Sequence, residues 1–224
     1  MMKQIIKYAT LMASLGLAFQ ANATIFDFEE LTDTGIGEIS GQLANGTSFA
    51  MGNPSESAFD YFDWTKDGIT LRAMGATTTG AAWAYLDAKS SGKGAGLGVC
   101  SQGLQGSNQC DPGDDDNVTI GEILKITFLE SVAINFGQTT FRDADHDIHF
   151  PDIEISLDNG SIWGALDLNS ELVSDTFFFR TQTDGNQFYI DALTVKDATV
   201  PAPAALSLLG LGLAGLSFTR RRKS

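Results

Sequence analysis

Asp111-Pro112-Gly113-Asp114-Asp115-Asp116-Asn117 sets four carboxylates within six residues. At neutral pH such a run repels itself unless water or a cation lies between the charges. Hard oxygen ligands of this kind suit Ca²⁺, which takes about six to eight of them. Asp111, Asp114, Asp115, Asp116 and Asn117 are therefore candidate calcium ligands, with a solvated acidic turn as the alternative. The spacing is not that of an EF-hand, because Asp116 stands where the loop requires glycine. A second run is Asp143-Ala144-Asp145-His146-Asp147. On a strand, Asp143, Asp145 and Asp147 share one face, as candidate ligands of one ion or, as the alternative, as a simply solvated face. Ile148 occupies the glycine position there too.

Other chemistry finds little support. The sequence contains no G-x-S-x-G, no phosphate-binding P-loop and no H-E-x-x-H. Gly94-Ala95-Gly96-Leu97-Gly98 lacks the βαβ surroundings of a dinucleotide site. On a strand, His146 and His149 fall on opposite faces, a poor zinc geometry. The plentiful acids leave paired-carboxylate glycoside hydrolysis as a minor alternative. The expectation is a protein that is not an enzyme. Trp64, Trp83 and Trp163, with Tyr61 and Tyr85, offer faces that stack on sugar rings or, equally, build a core.

Cys100 and Cys110 lie in a Gly-, Ser-, Asn- and Asp-rich stretch, Ala88 to Gly121, that is long for a connection. Export makes a disulfide between them the expectation, with two free thiols as the alternative.

The elements that must position these residues read as strands. Alternation marks 24–28, 68–74, 82–86, 122–128, 131–138, 152–158, 176–181 and 187–195. Asn159-Gly160 is a hairpin signal, answered by 161–166. Helical periodicity over a dozen residues is missing, so the fold expectation is all-β, an antiparallel β-sandwich or jelly roll.

Phe188-Tyr189-Ile190-Asp191, with Phe26-Asp27-Phe28-Glu29 near the start, resembles the terminal strands of calcium-stabilised carbohydrate-binding jelly rolls. That resemblance implies that Glu29 and Asp191 share a structural calcium ion.

The two ends carry addresses. Lys3 and Lys7, the apolar run 10–19 and Ala21-Asn22-Ala23 form a secretory signal peptide over 1–23, with cleavage between Ala23 and Thr24. At the other end, Pro201-Ala202-Pro203 precedes an apolar run, 204–218, and then Arg220, Arg221, Arg222 and Lys223. The run reaches about 22 Å as a helix, short for a span unless the bilayer thins and the arginines snorkel. The terminal cations suit the cytoplasmic face.

This tail resembles the PEP-CTERM sorting signal, in a Val-Pro-Ala-Pro variant. The resemblance implies processing by exosortase, a membrane-embedded transpeptidase-like enzyme, and a place on the cell surface or in the extracellular matrix. Gly96-Leu97-Gly98-Val99, the acidic loop and Glu122-Ile123-Leu124 are similar to a Leu-Gly-Val turn, polar loop and Glu-x-Leu strand of exosortase-dependent surface proteins. A simple C-terminal membrane anchor is the alternative for the tail.

The expected organisation is thus a signal peptide (1–23), a β-sandwich domain (24–199) and a sorting tail (200–224). The chain carries 14 basic and 28 acidic residues. Six of the cations sit in the two end segments, leaving eight against all 28 acids, a net of −20. Such a domain is a poor partner for nucleic acid or for an anionic membrane surface. The functional expectation is an exported, exosortase-processed surface or matrix protein. Its partners are exosortase and the secretion machinery, its tail engages the inner membrane transiently, and Ca²⁺ serves as cofactor. An exopolysaccharide-binding module is the alternative.

Overall fold

The computed structural model describes residues 23–34, 37–52, 56–78, 80–88, 94, 96–106, 108–113 and 116–198. Ala21, Asp114, Asp115, Pro201, Ala202, Pro203, Arg220, Arg221 and Arg222 lie outside them.

The chain opens with β1 (Thr24–Asp27) and a short helix, α1 (Phe28–Thr34). Asp27 caps the helix by accepting the Glu30 N–H at 2.8 Å, and Glu29 and Glu30 sit in its first turn, where the helix dipole favours acids. Phe28 and Leu31 face inward. Next come β2 (Ile39–Leu43), β3 (Ser48–Gly52), β4 (Ser57–Lys66), β5 (Ile69–Thr77), β6 (Trp83–Asp87) and β7 (Gly96–Cys100). The small pair β8 (Leu104–Gln105) and β9 (Gln109–Cys110) follows. The second half contains β10 (Glu122–Asn135), a 3₁₀ turn (Phe136–Gln138), β11 (Thr140–Arg142), β12 (Ile148–His149), β13 (Glu154–Ser156) and β14 (Gly164–Ala165). It ends with β15 (Glu171–Arg180) and β16 (Tyr189–Asp197).

The domain is all-β and antiparallel, as alternation requires, but its sheet closes. Strands β16, β7, β6, β4, β5 and β10 follow one another by hydrogen bonding, and β10 pairs again with β16. A six-stranded barrel with extra strands therefore replaces the expected pair of separate sheets. The cause is strand length. Phe59 pairs with Leu43 and Ala84, and Phe62 with Gly41 and Ala73, so β2 takes one edge of β4 while β6 and then β5 share the other. Likewise β10 pairs with β5 over Glu122–Phe128 and with β16 over Val132–Ile134, with an irregularity between. Long strands that pass from one neighbour to the next turn the corners that two stacked sheets would leave open.

The barrel interior holds Phe26, Phe62, Trp64, Leu71, Leu86, Leu97, Leu124, Ile126, Phe177, Phe179 and Ile190 in one apolar cluster. Leu124, Ile126 and Phe128 are the inward set of β10, with Lys125 and Thr127 outward, which is the alternation the sequence displays. Leu97-Gly98-Val99, expected as a turn, is the middle of β7.

Candidate functional site

Outside the barrel wall, against β6, β7 and β16, lies a second layer made by the segment that follows β7. Cys100 and Cys110 are bonded to each other. They pack with Ala58 and Tyr85 in a small cluster of their own. Glycines let the layer come close. A Cβ on Gly98 would lie 2.0 Å from the Asp116 carbonyl oxygen, and one on Gly96 would lie 2.4 Å from that of Ile190. The glycine-rich run thus serves backbone approach on one side of β7, while Leu97 and Val99 fill the core.

Polar side chains fasten this layer. The Tyr189 hydroxyl donates to Asp116 Oδ1. The Tyr85 hydroxyl lies 2.8 Å from both Glu56 Oε1 and Gln109 Oε1, and its single proton serves one of them. Asp87, at the end of β6, is 5% exposed. Its Oδ2 has no hydrogen-bond partner and lies 3.3 Å from His146 Nε2. The His146 ring meets the edge of Tyr189, with centroids 5.5 Å apart. Burial pushes the Asp87 carboxyl up to about 8, and the nearby charges of Asp116 and Glu56 push the same way. Burial also raises Asp116, against the hydrogen bond from Tyr189. Both tyrosine hydroxyls are held well above their ordinary range, first by burial and then by these carboxylates.

A few residues further along β16 sits an ion-pair centre. In its pairing with β11, Asp191 is the extra residue between Ile190 and Ala192, and the register shifts there. Arg142 Nε lies 2.9 Å from Asp191 Oδ2, and Arg142 Nη2 lies 3.0 Å from Glu29 Oε2. The structure thus brings Glu29 and Asp191 to one place, and the cation between them is the Arg142 guanidinium. A third donor, Nη1, reaches the His146 carbonyl at 3.0 Å, so the Arg142 fork also holds the turn that carries His146. Burial raises Asp191 to about 6, opposed by the Arg142 charge and assisted by Glu29 and Asp27.

The acid run at 143–147 is arranged as a turn. Asp143, Asp145 and Asp147 lie in the connection between β11 and β12, not on a strand, so the shared face does not form. Asp143 Oδ1 accepts the N–H groups of Asp145 and Asp147 at 2.9 and 3.0 Å. Asp111 is exposed, Asp116 points inward to Tyr189, and Asn117 is buried. Among the described residues, no three His, Cys, Asp or Glu side chains are placed to hold one metal ion.

The aromatic candidates are largely engaged. Trp64 is 3% exposed and edges onto Phe26 and Phe28. Trp83 packs beside the disulfide cluster. Arg180 covers the Trp163 ring at 4.0 Å and Arg72 the Tyr61 ring at 4.4 Å. A groove of about 480 Å³ lies apart from the buried polar cluster, lined among others by Phe150, Asp152, Glu154, Asp167 and Gln182. Phe150, at 78% exposure, presents a bare ring there.

Asp87, Arg142, Glu56 and Tyr189 were not candidates from the sequence. Arg142 did leave a signal, as a lone cation beside the acid run at 143–147.

Residues 199–223 match the family described as the PEP-CTERM protein-sorting motif. A protein-sorting motif is present. It begins one residue after Ala198, where the described domain stops. No curated protein and no solved structure matches the chain. Among the described residues no helix is long and apolar enough to cross a membrane, and the apolar run 204–218 lies outside them.

Proposed function

We propose that the chain is an exported, non-enzymatic surface or extracellular-matrix protein, cut from its signal peptide before Thr24 and handed to exosortase by its Val-Pro-Ala-Pro tail. The observation that carries this reading is the sorting motif at 199–223. The Cys100–Cys110 bond supports it, because such bonds persist in oxidising compartments outside the cytoplasm. Barrel closure also suits an extracellular life, since it leaves open edges on short outer strands such as β12 and β14 and not on the long barrel strands. Deleting residues 199–224 should move the protein from the cell envelope to the soluble periplasm, read by fractionation. An unchanged envelope pool counts against tail-directed sorting. Calcium belongs to this reading as the ion of the acidic loop 111–117. A melting temperature identical in calcium and in chelator removes it.

A second reading, exopolysaccharide binding, is favoured by the groove beside Phe150. A bare aromatic ring next to carboxylate and amide groups matches the alternating apolar faces and hydroxyls of a sugar chain. Slower migration in polysaccharide-loaded native gels, lost on Phe150→Ala, is the expected result.

A further inference from the structure

The first and last strands of the described domain begin and end at the same pole of the barrel. Thr24 pairs with Val195, so the first residue of β1 lies beside the last turn of pairing in β16. The Thr24 hydroxyl reaches Asp67 Oδ2 at 3.2 Å, in the turn that joins β4 to β5. Asp197 pairs with Val132, and the Ala198 N–H donates to the Ser131 carbonyl at 3.3 Å. Gly68, Thr70, Leu129, Glu130 and Asp197 line one recess of about 120 Å³ at this pole. Beside it, at the corner of β10, Leu129 stands 84% exposed. A lone exposed leucine is ordinary on a surface. Its position beside the exit of a membrane-directed tail is what distinguishes this one.

Chain length then fixes the geometry. Five residues, 199–203, lie between Ala198 and Ala204, where the apolar run begins, a path of six residue steps. Fully extended they span at most about 20 Å. The polar zone on each side of a bilayer is about 5–8 Å deep. With the run in the membrane, the point where the tail leaves this pole is held within about 15 Å of the headgroups.

We propose that this pole is a lipid-facing surface, set against the bilayer while the tail is engaged, with Leu129 as its apolar contact. The inference rests on the reading of 204–218 as a membrane segment. Asp67, Glu130 and Asp197 surround the contact, so the attraction is apolar and favours zwitterionic lipid over anionic lipid.

The test uses the chain purified from membranes with its tail and placed in phosphatidylcholine vesicles. The two native cysteines are bonded to each other, so an added cysteine is the reactive thiol. An environment-sensitive dye is attached at Leu129→Cys or, as a control, at Thr78→Cys. Thr78 follows the far end of β5 and donates its N–H to the Gly121 carbonyl at 3.2 Å. The expected result is flotation with the vesicles, and a blue shift with quenching by headgroup-spin-labelled lipid at Leu129 and not at Thr78. Flotation with no difference between the two positions overturns the lipid-facing pole and leaves the membrane tail standing. Failure to float overturns the membrane reading of the tail, and this inference with it.

Discussion

Arg142 binds Asp191 through Nε at 2.9 Å while its Nη2 binds Glu29 at 3.0 Å, which ties β11 to the β16 bulge and to the helix after β1. Side-chain exposures of 15%, 9% and 20% for Arg142, Asp191 and Glu29 place the three groups mostly out of water. Removing the cation leaves two carboxylates facing each other without the guanidinium between them. Arg142→Met is expected to cost about 3 kcal/mol, since breaking a buried pair costs more than the pair contributes. Arg142→Lys keeps the charge and loses the fork, so it should fall between. Chemical denaturation checks both. Equal stability of Arg142→Met and the parent would show that the centre has no structural role.

Asp87 makes the domain sensitive to pH. Its carboxyl moves from 3.8 in the open chain to about 8 in the fold. Between those values the native state holds a proton that the unfolded chain has released. Stability therefore falls as pH rises through that window. Asp191, raised to about 6, adds a fall in the same direction over the lower part. The melting temperature should be higher at about pH 5 than at about pH 8. Asp87→Asn should flatten the slope, because the amide carries no charge to bury. A slope unchanged by that substitution would mean that another group sets it. The groups around Asp87 are Asp116, Glu56, Tyr189 and His146.

The disulfide closes a loop with a sequence separation of 10 residues. Loop entropy limits its contribution to about 3 kcal/mol. Cys100→Ala with Cys110→Ala should lower the unfolding free energy by up to that amount. It should also speed amide exchange in 100–118 more than in β10. The layer keeps other fasteners, notably Ala58 N–H to the Asn108 carbonyl at 2.7 Å and Tyr189 to Asp116. The barrel should therefore stay folded. Exchange that rises uniformly over the domain would contradict a local role for the bond.

Much of the barrel is legible in the sequence where one face is apolar and the other polar. Ile69, Leu71 and Ala73, and Leu124, Ile126 and Phe128, face the core as their alternation requires. Asn159 and Gly160 take positive φ, the conformation for which that pair is suited, although the strands they join pair only at Glu154–Ala165 and Ile155–Gly164. The ten-residue β4 was not legible. Asp60 and Asp63 interrupt its apolar pattern, and the shift between Gln42 and Leu43 breaks the register on its β2 edge. Two expected strands, 122–128 and 131–138, are one bent β10 ending in a 3₁₀ turn, because the corner at 128–131 changes neighbours without ending the strand. Closure itself depends on such handovers between distant segments, which leave no local pattern. Only a resemblance, implying a shared calcium ion, pairs Glu29 with Asp191 in the sequence; the Arg142 guanidinium that both meet comes from a third strand and leaves no pattern linking it to them.

Intact mass measurement of the protein released from the cell surface tests the central claim most directly. The expected chain starts at Thr24 and lacks the apolar run 204–218 and the arginines 220–222. A surface protein that keeps its whole tail, or one found only in the inner membrane, would contradict processing at the sorting motif.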